Sequence, residues 1–109
     1  MTVRSLGSFV VQHRYTVHRA DRDRALALLA RVRDYAADLG LAHFEVWVDE
    51  DAGQVTELHG YDSWNQYQRL QGKDVPAVMR EVYAELERVI EGGWDGVDSR
   101  TWQPTDLPD

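Results

Sequence analysis

Cysteine is absent from this sequence of 109 residues. Disulfide bonds, thiolate nucleophiles and thiolate zinc sites are therefore excluded. The classes of enzyme that depend on them are excluded as well. No apolar run approaches the roughly 20 residues that span a bilayer, so we expect a soluble protein with no membrane partner. The amino-terminal stretch lacks the apolar segment of a secretory signal, which makes the cytoplasm the expected location.

Positive charge is scarce as well. The formal net charge is -7 at pH 7, and Lys73 is the only lysine. A phosphate backbone is bound by clustered lysine and arginine side chains, so a nucleic-acid partner is not expected. The length suits one domain with one hydrophobic core, and we treat residues 1–109 as a single domain in which residues 104–109 form a polar tail.

Hydrophobic periodicity predicts a strand followed by a helix at the start of the chain. Apolar and polar residues alternate over residues 9–18, which is typical of a strand with one dry face. The apolar residues on that face are Phe9, Val11, Tyr15 and Val17. Asp21 is the predicted N-cap of a helix over residues 22–39, and Gly40 ends it.

A hairpin is predicted after that helix. The period returns to two over residues 42–49 and again over residues 54–61, and residues 50–53 form the connecting loop. The favoured register pairs Glu45 with Glu57, because Leu58 then shares a face with the apolar residues of the preceding strand. The same register pairs His43 with His59.

Two further helices and a last strand complete the pattern. Ser63, followed three residues later by Gln66, is typical of a capping box and predicts a short helix to about Leu70. Gly72 breaks that helix.

The next helix has Asp74 as its predicted cap and Pro76 in its first turn, and it ends at Gly92 and Gly93. A fourth strand is predicted over residues 100–103. The order is β-α-β-β-α-β, which indicates an α+β, ferredoxin-like fold with an antiparallel sheet and its helices on one face.

The second face of such a sheet is either solvated or covered by a partner. In the predicted register this face is polar with one large aromatic residue. Its members are Gln12, Arg14, Thr16, His18, His43, Glu45, Trp47, Val55, Glu57 and His59. We favour a homodimer through this sheet face, in which Arg14 pairs with Glu45 or Glu57 and Trp47 anchors the contact.

The end of the third strand and the following helix start resemble a known family. Residues 57–67 read ELHGYDSWNQY, an acidic and aromatic strand end followed by a D-S-x-x-x-Y helix start. This arrangement resembles the dimeric α/β barrel superfamily and, within it, the antibiotic biosynthesis monooxygenase-like branch, over about residues 9–102. The resemblance implies a dimeric α/β barrel.

The resemblance also implies a reaction. Members of this branch include oxygenases that oxidise electron-rich polycyclic phenols or quinols without metal or flavin, so no cofactor is expected. The sequence departs from the pattern at two points. No histidine follows His59, which disfavours haem oxygenation, and Gln71, Gly72 and Lys73 stand where many quinol-oxidising relatives have a histidine.

His13 is the predicted catalytic residue. It is the one ionisable residue on the dry face of the first strand, so it is either a hydrogen-bonded core residue or a general base that takes a phenolic proton. Aromatic residues predicted to bind a flat substrate, each of which could instead pack in the core, are Tyr15, Tyr35, Trp64, Tyr67 and Tyr83.

His43, Glu45, Glu57 and His59 would form a cluster of metal-ligand types on adjacent strands in the predicted register. Arg14 could neutralise the carboxylates without a metal, and no metal site is predicted. Three functions therefore stay open. The first is an enzyme acting on an aromatic, quinol or polyketide-like molecule, either a cofactor-independent monooxygenase or a related isomerase or cyclase. The second is a non-catalytic module that binds a small hydrophobic or aromatic ligand, and the third is a structural or interaction protein with no cavity.

Overall fold

The computed structural model describes residues 8–108. Its regular elements follow the predicted order, with a short helix before the last one. They are β1 (Phe9–Thr16), α1 (Arg22–Asp34), β2 (His43–Asp49), β3 (Gln54–Tyr61), α2 (Trp64–Gln71), α3 (Ala77–Val89) and β4 (Asp98–Trp102).

The four strands form one antiparallel sheet in the order β2-β3-β1-β4. The alternating sequence of β1 buries Phe9, Val11 and Tyr15 on one side, and the helices pack on that side. This is the predicted α+β, ferredoxin-like architecture with helices on one sheet face. Among residues 8–108, no helix is long and apolar enough to cross a bilayer.

Two apolar clusters fill the space between sheet and helices. The larger one joins Tyr15 and Val55 of the sheet to Val32 of α1 and to Met79 and Val82 of α3. Val32, Met79 and Val82 are fully buried, as close packing of two amphipathic helices on a sheet requires. The smaller cluster lies under α2 and contains Phe9, Val11 and Tyr61 as its buried members.

The strand register of the hairpin differs from the prediction. Asp49 pairs with Gln54 across the four-residue loop, and counting outward from that pair places Val46 opposite Glu57. The predicted pairing of Glu45 with Glu57 is therefore wrong by one residue. Loop length fixes hairpin register, and the single apolar residue Leu58 was a weaker guide than the loop.

The predicted pairing of His43 with His59 is wrong for the same reason. His59 lies opposite Phe44, and His43 lies opposite Gly60. Because side chains alternate between faces, Glu57 and His59 point toward the helices, whereas Leu58 lies on the open face. Val55, also predicted on the open face, is buried in the core under the helices.

The predicted N-caps of the two long helices have different outcomes. Asp21 is the N-cap residue of α1, as predicted, but it ends a 3-10 turn, Arg19–Asp21, and its side chain makes no cap hydrogen bond. The N-cap of α3 is Pro76 and not the predicted Asp74. The first helix is shorter than predicted, because it gives way to turns after Asp34.

The predicted cap of α2 is confirmed. Ser63 has an extended backbone, and its Oγ accepts a hydrogen bond from the Gln66 backbone N–H at 3.1 Å. The Gln66 side chain returns a bond by accepting from the backbone N–H of Asp62 at 2.7 Å. These reciprocal bonds satisfy donors that the first turn of a helix leaves free.

Replacement of Ser63 by alanine is expected to lower the free energy of unfolding by about 1 kcal/mol, because the cap is lost. The Ser63→Asp variant supplies another capping oxygen and should stay within about 0.5 kcal/mol of the wild type. Urea unfolding followed by circular dichroism measures both. Equal losses in the two variants would contradict a capping role.

Candidate functional site

A cavity of about 370 Å³ lies between the helix-facing side of the sheet and α3. This volume is at the lower end of the range for pockets that hold drug-sized molecules. The cavity is lined by His13, Tyr15, Glu57, His59, Tyr83, Leu86, Trp94, Val97 and Ser99.

Strand register brings the polar residues of this cavity together. His13 of β1 lies opposite Glu57 of β3 on one side and opposite Ser99 of β4 on the other. Directly opposed side chains on neighbouring strands are about 4.5–5.5 Å apart at Cβ, so these three groups form a row across the sheet. Tyr15 and His59 extend the row along the strands, since each lies two residues from a member of it.

Glu57 is the buried centre of this group, with 5% of its surface exposed. Its Oε2 accepts a hydrogen bond of 2.5 Å from the Tyr15 hydroxyl, and its Oε1 lies 2.9 Å from His59 Nε2. Burial acts to raise the pKa of the Glu57 carboxyl, but the hydrogen bonds from His59 and Tyr15 and the attraction of the imidazoles outweigh it. The pKa is lowered on balance, so Glu57 is ionised at neutral pH and His59 donates its Nε2–H.

Tyr15 and Tyr83 remain protonated in this setting. Burial, followed by the charge of Glu57 and the hydrogen bond to it, raises the pKa of Tyr15 far above its ordinary value. Burial and the charge of Glu57 also raise the pKa of Tyr83. Both phenols can therefore donate hydrogen bonds or contact an aromatic ligand, but neither can act as a base near neutral pH.

His13 is suited to accept a proton. Its Nδ1 lies 2.7 Å from Ser99 Oγ, and its ring meets the His59 ring edge-on at a centroid distance of 4.8 Å. Burial lowers the pKa of His13, and repulsion from His59 lowers it further, although Glu57 opposes the shift. The imidazole is thus neutral at pH 7, and a cation formed there would lie near the Glu57 carboxylate.

The structure brings together three of the sequence-predicted site residues and separates the others. His13, Tyr15 and Tyr83 line the cavity. Tyr35 packs against the larger core cluster. Trp64 and Tyr67 contact the Phe9 ring at centroid distances of 5.0 Å, away from the lining of the cavity.

Six further lining residues were not predicted as site residues: Glu57, His59, Leu86, Trp94, Val97 and Ser99. The first two were assigned to the open face because Leu58 was taken as the inward residue of β3. Val55 and Tyr61 were the better guide to which face of β3 points inward. These two apolar residues lie on the same face of the strand as Glu57 and His59, because all four are separated by even numbers of residues. Trp94 comes from a short 3-10 helix, Gly93–Gly96, between α3 and β4, and a segment of four residues is too short for periodicity to assign its faces.

The possible metal cluster on the sheet is not formed. His43 and Glu45 lie on the open face, with His43 Nε2 3.8 Å from Glu45 Oε2, whereas Glu57 and His59 lie on the opposite face. Within residues 8–108, no three His, Asp or Glu side chains are grouped so that they could hold a metal ion.

Comparison with known proteins identifies the fold. No protein-family model matches the sequence, and no curated protein is detectably similar to it. Among solved structures, SnoaB, a cofactor-independent oxygenase from Streptomyces nogalater, superposes with a TM-score of 0.69 over 91% of this chain and 94% of its own, at 12% identity.

Two other structures agree with this result. Rv0793 from Mycobacterium tuberculosis is 16% identical, with a TM-score of 0.67 over 93% of this chain and 98% of its own. A proposed antibiotic biosynthesis monooxygenase from Chloroflexus aurantiacus is 14% identical, with a TM-score of 0.65 over 93% of this chain and 96% of its own. These likenesses show the fold, and they confirm the resemblance to the antibiotic biosynthesis monooxygenase-like branch at that level.

Loss of the Tyr15 hydroxyl is expected to destabilise the protein. The Tyr15→Phe variant leaves one oxygen of the buried Glu57 carboxylate without its donor, so the free energy of unfolding should fall by about 2 kcal/mol. Tyr67→Phe is the matched control, because its hydroxyl makes no hydrogen bond to the described part of the chain. That variant should lose less than about 0.5 kcal/mol in urea unfolding at pH 7. Similar losses in both variants would rule out a special role for the Tyr15 bond.

Proposed function

We propose that this protein is a cofactor-independent monooxygenase that oxidises an electron-rich aromatic, quinol or polyketide-like small molecule. The observation that carries the proposal is the placement of a neutral His13 in an aromatic-lined cavity, beside the ionised Glu57 and its partner His59. The base has a carboxylate nearby to stabilise the charge that it acquires. The name of SnoaB as a cofactor-independent oxygenase adds support from a protein of the same fold.

The reaction needs one proton acceptor and molecular oxygen. In the tautomer whose Nδ1–H donates to Ser99, Nε2 of His13 is the nitrogen that can take the phenolic or enolic proton of the substrate. The resulting anion is electron-rich and gives electrons to O2, a C–O bond forms, and the peroxide anion takes back the proton held by His13 to give a hydroperoxide. Loss of water then leaves a carbonyl, so one oxygen atom stays in the product and the other leaves with two hydrogens of the substrate.

The cavity supplies two further requirements of this chemistry. Tyr15, Tyr83 and Trp94 line it and offer aromatic contacts for a flat ring system. Tyr15, Glu57 and Leu86 of the lining are buried, so an anion bound against them would be partly removed from water, which strengthens its attraction to the cation formed on His13. The phenols keep their protons, so His13 has no competing base among the tyrosines.

A non-catalytic binding module is the second candidate. Glu57 and His59 bond to each other, and His13 is bonded to Ser99, so the polar groups of the cavity have partners before any ligand arrives. A cavity with satisfied polar groups and aromatic walls is also suited to hold a small hydrophobic molecule without reaction. Tight binding without turnover would support this reading.

The oxygenase proposal is tested with anthrone, an enolisable polycyclic substrate, under 18O-labelled O2. The wild type should consume O2 and place one labelled oxygen in the anthraquinone product. His13→Ala should lower kcat/KM by about 10²- to 10⁴-fold, as loss of a general base does. His18→Ala is the matched control, since His18 is an exposed histidine outside the cavity, and its rate should match that of the wild type.

The pH profile separates a base from a structural histidine. Because burial lowers the pKa of His13 below its ordinary value, kcat/KM should decline toward acid at a lower pH than the titration of an ordinary histidine would give. An unchanged rate in His13→Ala would remove His13 from the mechanism. Binding of anthrone by the wild type without O2 uptake would favour the binding module.

We also propose that two copies associate through the open sheet face, as expected from the sequence. Trp47 and Trp102 are 60% and 52% exposed there, and large exposed aromatic residues are common anchors of interfaces. Arg14 is exposed on the same face. Glu57, one of its two predicted partners across the interface, lies on the other face of the sheet. A cytoplasmic location also stays a prediction from the sequence.

The homodimer is tested by light scattering after size-exclusion chromatography. Trp47→Lys should weaken self-association by about 30-fold or more, the loss of an anchor residue at an interface. Trp64→Lys is the matched control, because Trp64 is 45% exposed but lies on α2, on the opposite side of the molecule from that face. A wild type that is monomeric at all concentrations would contradict the proposal.

A further inference from the structure

A second cavity of about 200 Å³ adjoins the first one. His59 of β3 and Tyr83 of α3 line both cavities, so the two spaces are neighbours on either side of these side chains. We refer to the space beside His13 as the inner cavity and to the second space as the outer cavity. A ligand that extends from one to the other must pass His59 and Tyr83.

The walls of the outer cavity combine apolar and cationic groups. Leu39, Leu41, Leu70 and Val75 supply its aliphatic surface. Its polar lining includes Gln71 and Lys73, and Lys73 is the only lysine of a chain whose formal net charge is -7. Gln71 is the last residue of α2, and Lys73 follows it in the turn where the backbone N–H of Lys73 bonds to the carbonyl of Leu70.

The two cavities differ in the charge of their lining. Among the described residues, the inner cavity has the carboxylate of Glu57 and no lysine or arginine. The outer cavity, in the same part of the chain, has the ammonium of Lys73 and no carboxylate. An aromatic acid therefore fits in one direction only, with its rings inward and its anionic group at Lys73.

We propose that the ligand is an elongated aromatic acid, whose ring system occupies the inner cavity and whose carboxylate, reached past His59 and Tyr83, pairs with Lys73. The assignment of this ligand as a substrate rests on the proposed function. Its binding orientation does not, because it depends only on the shape and charge of the two cavities. Lys73 is exposed, so its contribution to affinity is a modest, salt-sensitive one.

Anthraquinone-2-carboxylate and its primary amide form a matched pair of probes. They have nearly the same size, differ in charge, and are already oxidised, so turnover does not interfere. In isothermal titration calorimetry with the wild-type protein, the acid should bind about two- to five-fold more tightly than the amide. This preference should shrink as ionic strength rises from about 0.02 to 0.5 M, because salt screens an exposed pair.

The Lys73→Gln variant should lose the preference for the acid and keep its affinity for the amide, and Lys73→Glu should prefer the amide. Arg80→Gln is the control, because Arg80 is an exposed cation on α3 outside both cavities, and this variant should keep the wild-type preference. The Leu70→Trp substitution fills the outer cavity, so it should weaken binding of the acid more than binding of the amide.

Three results would overturn this inference. They are equal binding of acid and amide by the wild type, a preference that survives in Lys73→Gln, and no binding of either probe. Failure of the oxygenase proposal alone would give a different set of results. In that case anthrone would not be oxidised, while the acid would still bind more tightly than the amide in a manner that depends on Lys73.

Discussion

The burial of one carboxylate constrains the rest of the site. An ionised glutamate removed from water is unfavourable unless each oxygen finds a donor, and Glu57 finds two, the Tyr15 hydroxyl and His59 Nε2–H. Tyr15 belongs to β1 and Glu57 to β3, so the Tyr15 bond joins the two central strands and favours a single register, whereas His59 lies on the same strand as Glu57. A shift of either strand by one residue would leave the buried carboxylate without the Tyr15 donor.

The same carboxylate governs the histidines around it. His59 is oriented because Glu57 requires a donor, and the donor nitrogen is thereby fixed as Nε2. His13 has a different environment, since its hydrogen bond goes to the neutral Ser99 and burial lowers its pKa. The two histidine rings lie 4.8 Å apart, yet one is bonded to a buried carboxylate and the other to a neutral hydroxyl.

The sequence predicted the elements of the fold better than the site. The alternation in β1 and the capping of α2 by Ser63 are local signals, and local signals were sufficient for element order and fold class. The hairpin register was mispredicted because one apolar residue, Leu58, was weighed above the loop length. A four-residue loop closed by Asp49 and Gln54 would have placed Glu57 inward.

The remaining residues of the site depend on tertiary contacts that no local pattern encodes. Ser99 lies on β4, which is exposed along its whole length, so its sequence carries no alternation that could assign His13 as its partner. Trp94 reaches the cavity from the 3-10 helix Gly93–Gly96 that follows α3. His13, the single histidine on the dry face of β1, therefore indicated the location of the cavity. The chemistry there also depends on Glu57 and His59. Those residues enter the site only because the sheet pairs two strands that are about 40 residues apart in the chain.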